Sequence, residues 1–263
     1  METARLTAFP REQATTRVCM VSSFATELLE MRSKEPSLHV LLIPGNPGIV
    51  AVYKDFVEAL YENLGGQASI TAIGHISHSQ KCINTAYFAD NCTIYDRMLH
   101  MDGSFHYMNK STIRSSLLSK GVSSCVSLIG SLQASVRRGI VRRLLGPSWS
   151  ATAVDAACNH LLRYHTMRNV LFMAMTEFEM LTEEPDWTFI RARQNEIALL
   201  FGADDHWGPL SHLEEVSKRA PGVVLTVETE GHTHSYCCTE AGSFWVADYV
   251  TNSIKSQNLS RNN

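Results

Sequence analysis

The run His39-Val40-Leu41-Leu42-Ile43 stops at Pro44-Gly45-Asn46-Pro47-Gly48, and few folds accommodate an apolar segment cut off so abruptly. A short continuous apolar run predicts a strand buried on both faces, and a cluster of prolines and glycines predicts a tight loop at its end. Residues 53–64 follow, with Phe56, Val57, Leu60, Tyr61 and Leu64 at helical spacing. Gly65-Gly66 closes that helix, and residues 69–74 predict the next strand. Residues 38–78 are therefore a strand–helix–strand unit, the building block of a parallel sheet.

The rest of the chain is organised around that unit. Residues 16–22 and 25–31 predict two short strands about a Ser-Ser turn, a hairpin. Residues 81–121 carry neither an aliphatic run nor a sustained helical period and are expected to be poorly ordered. Patterning resumes near Val122, and residues 122–195 predict a helical cap or insert, with helices over 151–162 and 167–181. A strand over 197–201, a helix over 210–219, a strand over 223–227 and a final helix near 240–254 complete the series. The 263 residues are long enough for one core. We expect a single α/β domain with a mostly parallel sheet flanked by helices.

Composition removes several function classes. A net charge of −3 gives no reason to expect nucleic acid as a partner. Cys19, Cys82, Cys92, Cys125, Cys158, Cys237 and Cys238 are odd in number and form no CxxC pair. That usage suits a reducing compartment, not a disulfide framework or zinc module. Residues 1–13 carry charges throughout and lack the apolar centre of a secretory signal, and no window is apolar for the length of a spanning helix. The expectation is a soluble protein, or one attached to a surface from the cytosolic side.

Chemistry concentrates in the last third. One strand runs into Gly202-Ala203-Asp204-Asp205-His206-Trp207, and the next runs into Glu230-Gly231-His232-Thr233-His234. A carboxylate and an imidazole delivered by neighbouring strand ends can serve a nucleophilic hydroxyl. The imidazole takes its proton, while the carboxylate fixes the tautomer and stabilises the imidazolium. Surface-loop roles and metal ligation by Asp204, Asp205, His232 and His234 compete with this reading, but no third strong ligand motif accompanies them. His75, His78, His100 and His106 are scattered and expected in solvent. Cys237 and Cys238 read as packed thiols.

The segments His39–Gly48, Tyr53-Lys54-Asp55-Phe56, 202–207 and 230–236 together resemble the lipid-droplet-associated hydrolases, most closely the plant-like branch of that family. The resemblance spans residues 15–80 and 122–255. It implies an α/β-hydrolase fold and a serine hydrolase of lipid esters. It also implies placement at the lipid droplet and in the cytoplasm, with a lipid ester or the droplet surface as partner and no cofactor or metal. The family acid falls on Asp205, with Asp204 as the alternative. The family histidine falls on His234, which Tyr236 follows, with His232 as the alternative. Gly45 and Asn46 lie where the oxyanion donor would be.

The nucleophile is where this sequence departs from the family. No G-x-S-x-G elbow is present. Leu128-Ile129-Gly130-Ser131-Leu132 is a superficial echo, and Gly146-Pro147-Ser148-Trp149-Ser150 comes nearest. No strand precedes Ser148, which reads instead as a helix N-cap and remains a remote candidate. An α/β-hydrolase sheet without its nucleophile strand, and a chain impaired in turnover, are the expected consequences. An alternative transcript or gene-model error leaves a gap of this kind. The second reading is a non-catalytic relative that binds droplets or regulates an intact counterpart. In that reading Val136, Ile140, Val141 and Leu144 share one helical face, with Arg138 and Arg142 opposite, as in an interfacial helix. Solvated arginines of a cap are the duller account of the same stretch. The Met-rich residues 167–180 read as core or cap packing.

Overall fold

The computed structural model describes residues 12–21, 24–75, 116–180, 184–205, 207–232 and 234–261, with the backbone alone at 116, 178–180 and 258–261. β1 (Thr15–Val21) and β2 (Phe24–Met31) form the expected hairpin, with Thr15 opposite Glu30 and Val21 opposite Phe24. Its Ser-Ser turn lies outside the described residues. β2 pairs antiparallel with β4 (Ala68–Ile73), which pairs in parallel with β3 (Leu38–Leu42), giving the order β1-β2-β4-β3. β5 (Ala198–Gly202) and β6 (Val224–Glu228) form a separate parallel pair. The first sheet is thus mixed, because a short hairpin connection can only produce an antiparallel neighbour.

Between β3 and β4 the chain makes a 3-10 turn at Val50–Tyr53 and the helix α1 (Lys54–Asn63). Gly65 and Gly66 end α1 at φ 67° and 69°, a left-handed pair that side-chain-bearing residues resist. Helices α2 (Ser116–Gly130), α3 (Ala134–Leu145), α4 (Ala151–Ala156), α5 (Tyr164–Met180) and α6 (Trp187–Ala192) fill the stretch before β5. α4 runs on into a π-helical turn at Ala157–Leu161. α7 (Leu210–Arg219) joins β5 to β6, and α8 (Glu240–Arg261) closes the chain. Of the segment expected to be poorly ordered, residues 116–121 belong to α2; residues 81–115 lie outside the described residues, as do residues 1–11, His78, His100 and His106.

The main core lies between β2, β4, α1 and α8, where Leu29, Val57, Leu60 and Ile70 are almost wholly withdrawn from water. Each such side chain contributes about 1.5–3 kcal/mol relative to exposure. α8 spans the two sheets: it packs on α1, and its Tyr249 hydroxyl donates to Thr226 Oγ1 of β6 (3.1 Å). No strand pair joins the sheets among the described residues.

β3 departs from expectation. Its residues alternate between half-buried and exposed, and Leu41 is 59% exposed. The sequence predicts burial on both faces, but β3 has β4 on one side and no described strand on the other. No helix among the described residues is long and apolar enough to cross a membrane.

Candidate active site

β5 and β6 lie side by side in parallel, so their C-terminal ends open at the same edge. After β5, Asp205 N donates to Gly202 O (3.3 Å), and this turn brings the Asp205 side chain back towards the strand end. After β6, the buried Glu228 carboxylate accepts the N–H groups of Glu230 (2.6 Å) and His232 (3.0 Å), ordering the loop that carries His234. His234 Nδ1 then stands 2.6 Å from Asp205 Oδ2.

Asp205 is held as an anion. Burial pushes its carboxyl up, but hydrogen bonds from His234 and from the Trp207 and Gly208 N–H groups outweigh that, so its pKa lies below the usual 3.8. The Trp207 N–H reaches Asp205 Oδ1 at 2.8 Å. A carboxylate only accepts, so Nδ1 of His234 carries the proton and Nε2 is the basic nitrogen.

The other candidates separate from this pair. Asp204 is exposed in the turn before Asp205. His232 lies 4.0 Å from Glu230 and against the Trp245 ring, centroids 5.8 Å apart. His206 and Thr233 lie outside the described residues. No group of three or more His, Cys, Asp or Glu side chains is placed to hold a metal among the described residues.

The PGNPG loop is braced from beneath. Gly48 adopts φ 67°, and a Cβ there would fall 2.1 Å from the His75 ring. His75 Nε2 is 2.9 Å from Pro44 O, its Nδ1 is 3.2 Å from Met173 Sδ, and its N–H donates to Gly48 O (3.0 Å). His75, expected in solvent, is therefore buried, because the end of β4 sits directly under the loop that ends β3. Only its place after a strand parallel to β3 hints at this in the sequence. The Asn46 side-chain amide donates to Val170 O (3.1 Å) and Glu177 Oε2 (3.3 Å). The backbone N–H groups of Gly45 and Asn46 have no hydrogen-bond partner among the described residues.

This loop and the histidine loop meet. Ile49 and Val52, just past PGNPG, pack with Ala153, Ala156, Cys237 and Cys238. Tyr236, two residues beyond His234, sets its ring edge-on to Tyr53 and Phe56, at 6.3 and 5.5 Å between centroids. Both cysteines are buried free thiols.

None of the serine motifs forms an elbow. Ser148 is exposed in the turn between α3 and α4, with a helix before it. The cap of α4 is Ser150, whose hydroxyl accepts the Ala153 N–H (3.1 Å), so the N-cap expected at Ser148 falls two residues later. Ser131 is exposed and donates to Leu128 O (2.7 Å). Gly121-Val122-Ser123, a further G-x-S, lies within α2, where the buried Ser123 hydroxyl donates to Ser119 O (2.8 Å).

Residues 36–98 and 97–237 match the profile of a family described as lipid-droplet associated hydrolase. A lipid droplet-associated hydrolase of Dictyostelium discoideum is 22% identical over 271 residues, covering 80% of this chain and 86% of that protein. Among solved structures, an epoxide hydrolase from Vigna radiata superposes with a TM-score of 0.57 at 12% identity, covering 94% of this chain and 100% of its own. A haloalkane dehalogenase variant from Bradyrhizobium elkanii gives 0.55 at 12% identity, over 95% and 99%. A lipase-like protein from Acinetobacter baumannii gives 0.52 at 11%, over 94% and 93%. These likenesses establish an α/β-hydrolase fold.

Proposed function

Because the chain belongs to the lipid-droplet-associated hydrolase family, we propose that Asp205 and His234 are the acid and base of an acyl-transfer site for lipid esters, and that this chain lacks the serine they would serve. The observation that carries the reading is the 2.6 Å contact between His234 Nδ1 and Asp205, made from the ends of adjacent parallel strands. In a complete site of this kind, Nε2 takes the proton of a serine hydroxyl as it attacks the ester carbonyl, and later returns it to the leaving alcohol. The Gly45 and Asn46 N–H groups are the oxyanion donors in this reading.

Three observations support a missing central segment. The two matched blocks of the family profile meet at residues 97–98. The alignment with the Dictyostelium protein runs over 271 residues while engaging 80% of a 263-residue chain, so several dozen of its positions face no residue here. β3, with the sequence of an interior strand, sits at a sheet edge among the described residues. The elbow serine follows a strand, so losing that strand removes the nucleophile and a sheet position together.

Two measurements test the reading. A fluorophosphonate probe should leave the purified protein unlabelled, and hydrolysis of a short-chain triacylglycerol should be no faster than in His234→Ala. Labelling abolished by Ser148→Ala, or turnover that falls in His234→Ala, would overturn the missing-nucleophile part. The low-field proton resonance of a carboxylate-bound Nδ1–H should be present in the native chain and absent in Asp205→Asn. Its absence from the native chain would remove the dyad.

A further inference from the structure

α2 is built inside out for a helix that packs only on its own protein. Its buried positions are Ser119 and Ser123, with the Ser119 hydroxyl accepting from Arg168 Nη1 (3.2 Å). Its outward side carries Leu117, Leu118 and Leu128, the last 68% exposed. Leu117 and Leu128 fall on one line of the helix, about three turns apart. α3 repeats the arrangement: Val136, Ile140 and Leu144 follow at helical spacing, Leu144 is 72% exposed, and Val141 alone of the apolar set turns fully inward. Leu132, in the connection between the helices, adds to the same exposed apolar surface.

Charge is segregated here too. The chain is acidic overall, at −3, yet residues 116–154 contain no carboxylate side chain and hold Lys120, Arg137, Arg138, Arg142 and Arg143. Arg138 is paired with Asp155 (2.6 Å), whereas Arg142 and Arg143 are exposed beside Leu144. Where the two helices join, a cavity of about 460 Å³ is lined by Ser127, Ser131, Arg137, Asn159, Arg163 and Tyr164, among others. Arg137 donates from Nη1 to Gly130 O (3.1 Å) and from Nη2 to Asn159 Oδ1 (3.4 Å). Its buried Nε has no hydrogen-bond partner among the described residues. The guanidinium of Arg163, whose Nε donates to Asn159 O (2.8 Å), lines the same cavity, and two guanidinium groups in one wall suit an anionic oxygen.

We propose that the α2–α3 hairpin docks on an anionic phospholipid layer, its leucines entering the acyl boundary and a phosphate headgroup seating between Arg137 and Arg163. Exposed apolar side chains flanked by the exposed Arg142 and Arg143, with a cavity lined by Arg137 and Arg163 beside them, complement a surface that is greasy within and negative outside. This inference rests on the proposed function only in taking lipid as the partner; it requires neither Asp205 nor His234.

Flotation of the full chain with vesicles of phosphatidylcholine, alone or mixed with phosphatidic acid, separates the contributions. The native chain should float with the mixed vesicles, more weakly with the neutral ones, and less as salt is added. Arg142→Gln with Arg143→Gln should lower partitioning about twentyfold on mixed vesicles, with little change on neutral ones. Leu128→Asn with Leu144→Asn should lower it about tenfold or more on both. Arg163→Gln, which leaves the exposed arginines in place, should cost about fivefold on mixed vesicles. Leu128, Leu144, Arg142 and Arg143 are exposed, so the thermal midpoint should not move in those variants, and the Arg163→Gln partitioning is read at a temperature where its own melting curve shows it folded. Native-like flotation of the leucine variant would overturn the docking face while leaving lipid as partner through another surface. A native chain that floats with neither vesicle overturns the proposal outright. So does self-association, seen by sedimentation, that the leucine substitutions abolish, since the occupant is then a second copy. Probe labelling and ester turnover, measured alongside, bear on the dyad and not on this face.

Discussion

β3 and β4 are parallel neighbours with apolar sequences, and the molecule buries them to very different depths. β4 has a strand on each side, and its Ala68, Ile70 and Ala72 point into the core formed with Leu29, Val57 and Leu60. Among the described residues β3 has β4 alone, and its most outward leucine, Leu41, is 59% exposed. A continuous apolar run therefore encodes a place in a sheet, and burial follows only when both neighbours arrive. Across the break, β5 tells the same story with Leu199 and Leu200 only half-buried. Among the described residues β3 and β5 are therefore apolar edge strands of the sort that proteins ordinarily protect.

The largest effect should fall on the well-flanked strand. Ile70→Ala removes a side chain with no exposed surface, and the loss should be about 2–5 kcal/mol in urea denaturation. A cost under about 1 kcal/mol would mean that β4 is no better packed than β3, and the contrast between them would collapse.

The tips of the two strands are locked together even though their bodies differ, and Gly48 reports on that lock. Gly48→Ala must hold a side chain at φ 67° and push its Cβ into the His75 ring. The expected loss is about 2–4 kcal/mol. In a His75→Gly background both the ring and the Cβ of residue 75, which would stand 2.6 Å away, are gone, and the same substitution should cost only the backbone strain, about 1–2 kcal/mol. Additive losses in the double variant would show that the loop and the end of β4 do not communicate.

What the sequence made legible follows from how local each signal is. The hairpin, α1, α7 and the strands that carry the dyad are fixed by short-range periodicity and by turn formers such as Gly65-Gly66, and they appear within a residue or two of expectation. His75 was illegible because its partners, Pro44, Gly48 and Met173, are distant in sequence, and the loose scatter of histidines gave no reason to favour it. The half-exposed state of β3 was illegible for the opposite reason: its own residues are those of a buried strand, and whether a neighbour stands on its far side, where none is found among the described residues, is not a property of those residues. Ser150 displaced Ser148 as the cap because the residues between Gly146 and Ala151 form a turn, and only the last of them stands one step before the helix.

Acid tests whether the dyad depends on the broken edge. Asp205 has a folded pKa below its usual 3.8, so the stability it contributes is complete above that value and is lost as pH falls through the folded pKa. Urea midpoints taken from about pH 5 down to about pH 2 should fall more steeply in the native chain than in Asp205→Asn, which has no carboxyl to protonate there. The pair is assembled by β5, β6 and their own loops, so it should persist beside the edge. Parallel acid limbs in the two proteins would mean that the contact with His234 does not hold in solution.

The smallest effect is the most discriminating. Leu41 of β3 lies directly opposite Thr71 of β4 in the parallel ladder, one residue on from the pairing of Val40 with Ile70, yet most of its surface faces water. Leu41→Ala should therefore cost less than about 0.5 kcal/mol, the range of ordinary surface substitutions. The outward-facing amides of β3 should exchange with solvent by local opening, while those of β4 should require opening of the sheet. If Leu41→Ala instead costs as much as Ile70→Ala, with β3 amides as protected as those of β4, something covers the free edge in solution. The strand would then have the second neighbour its sequence calls for, and the case for a missing central segment would lose its structural support.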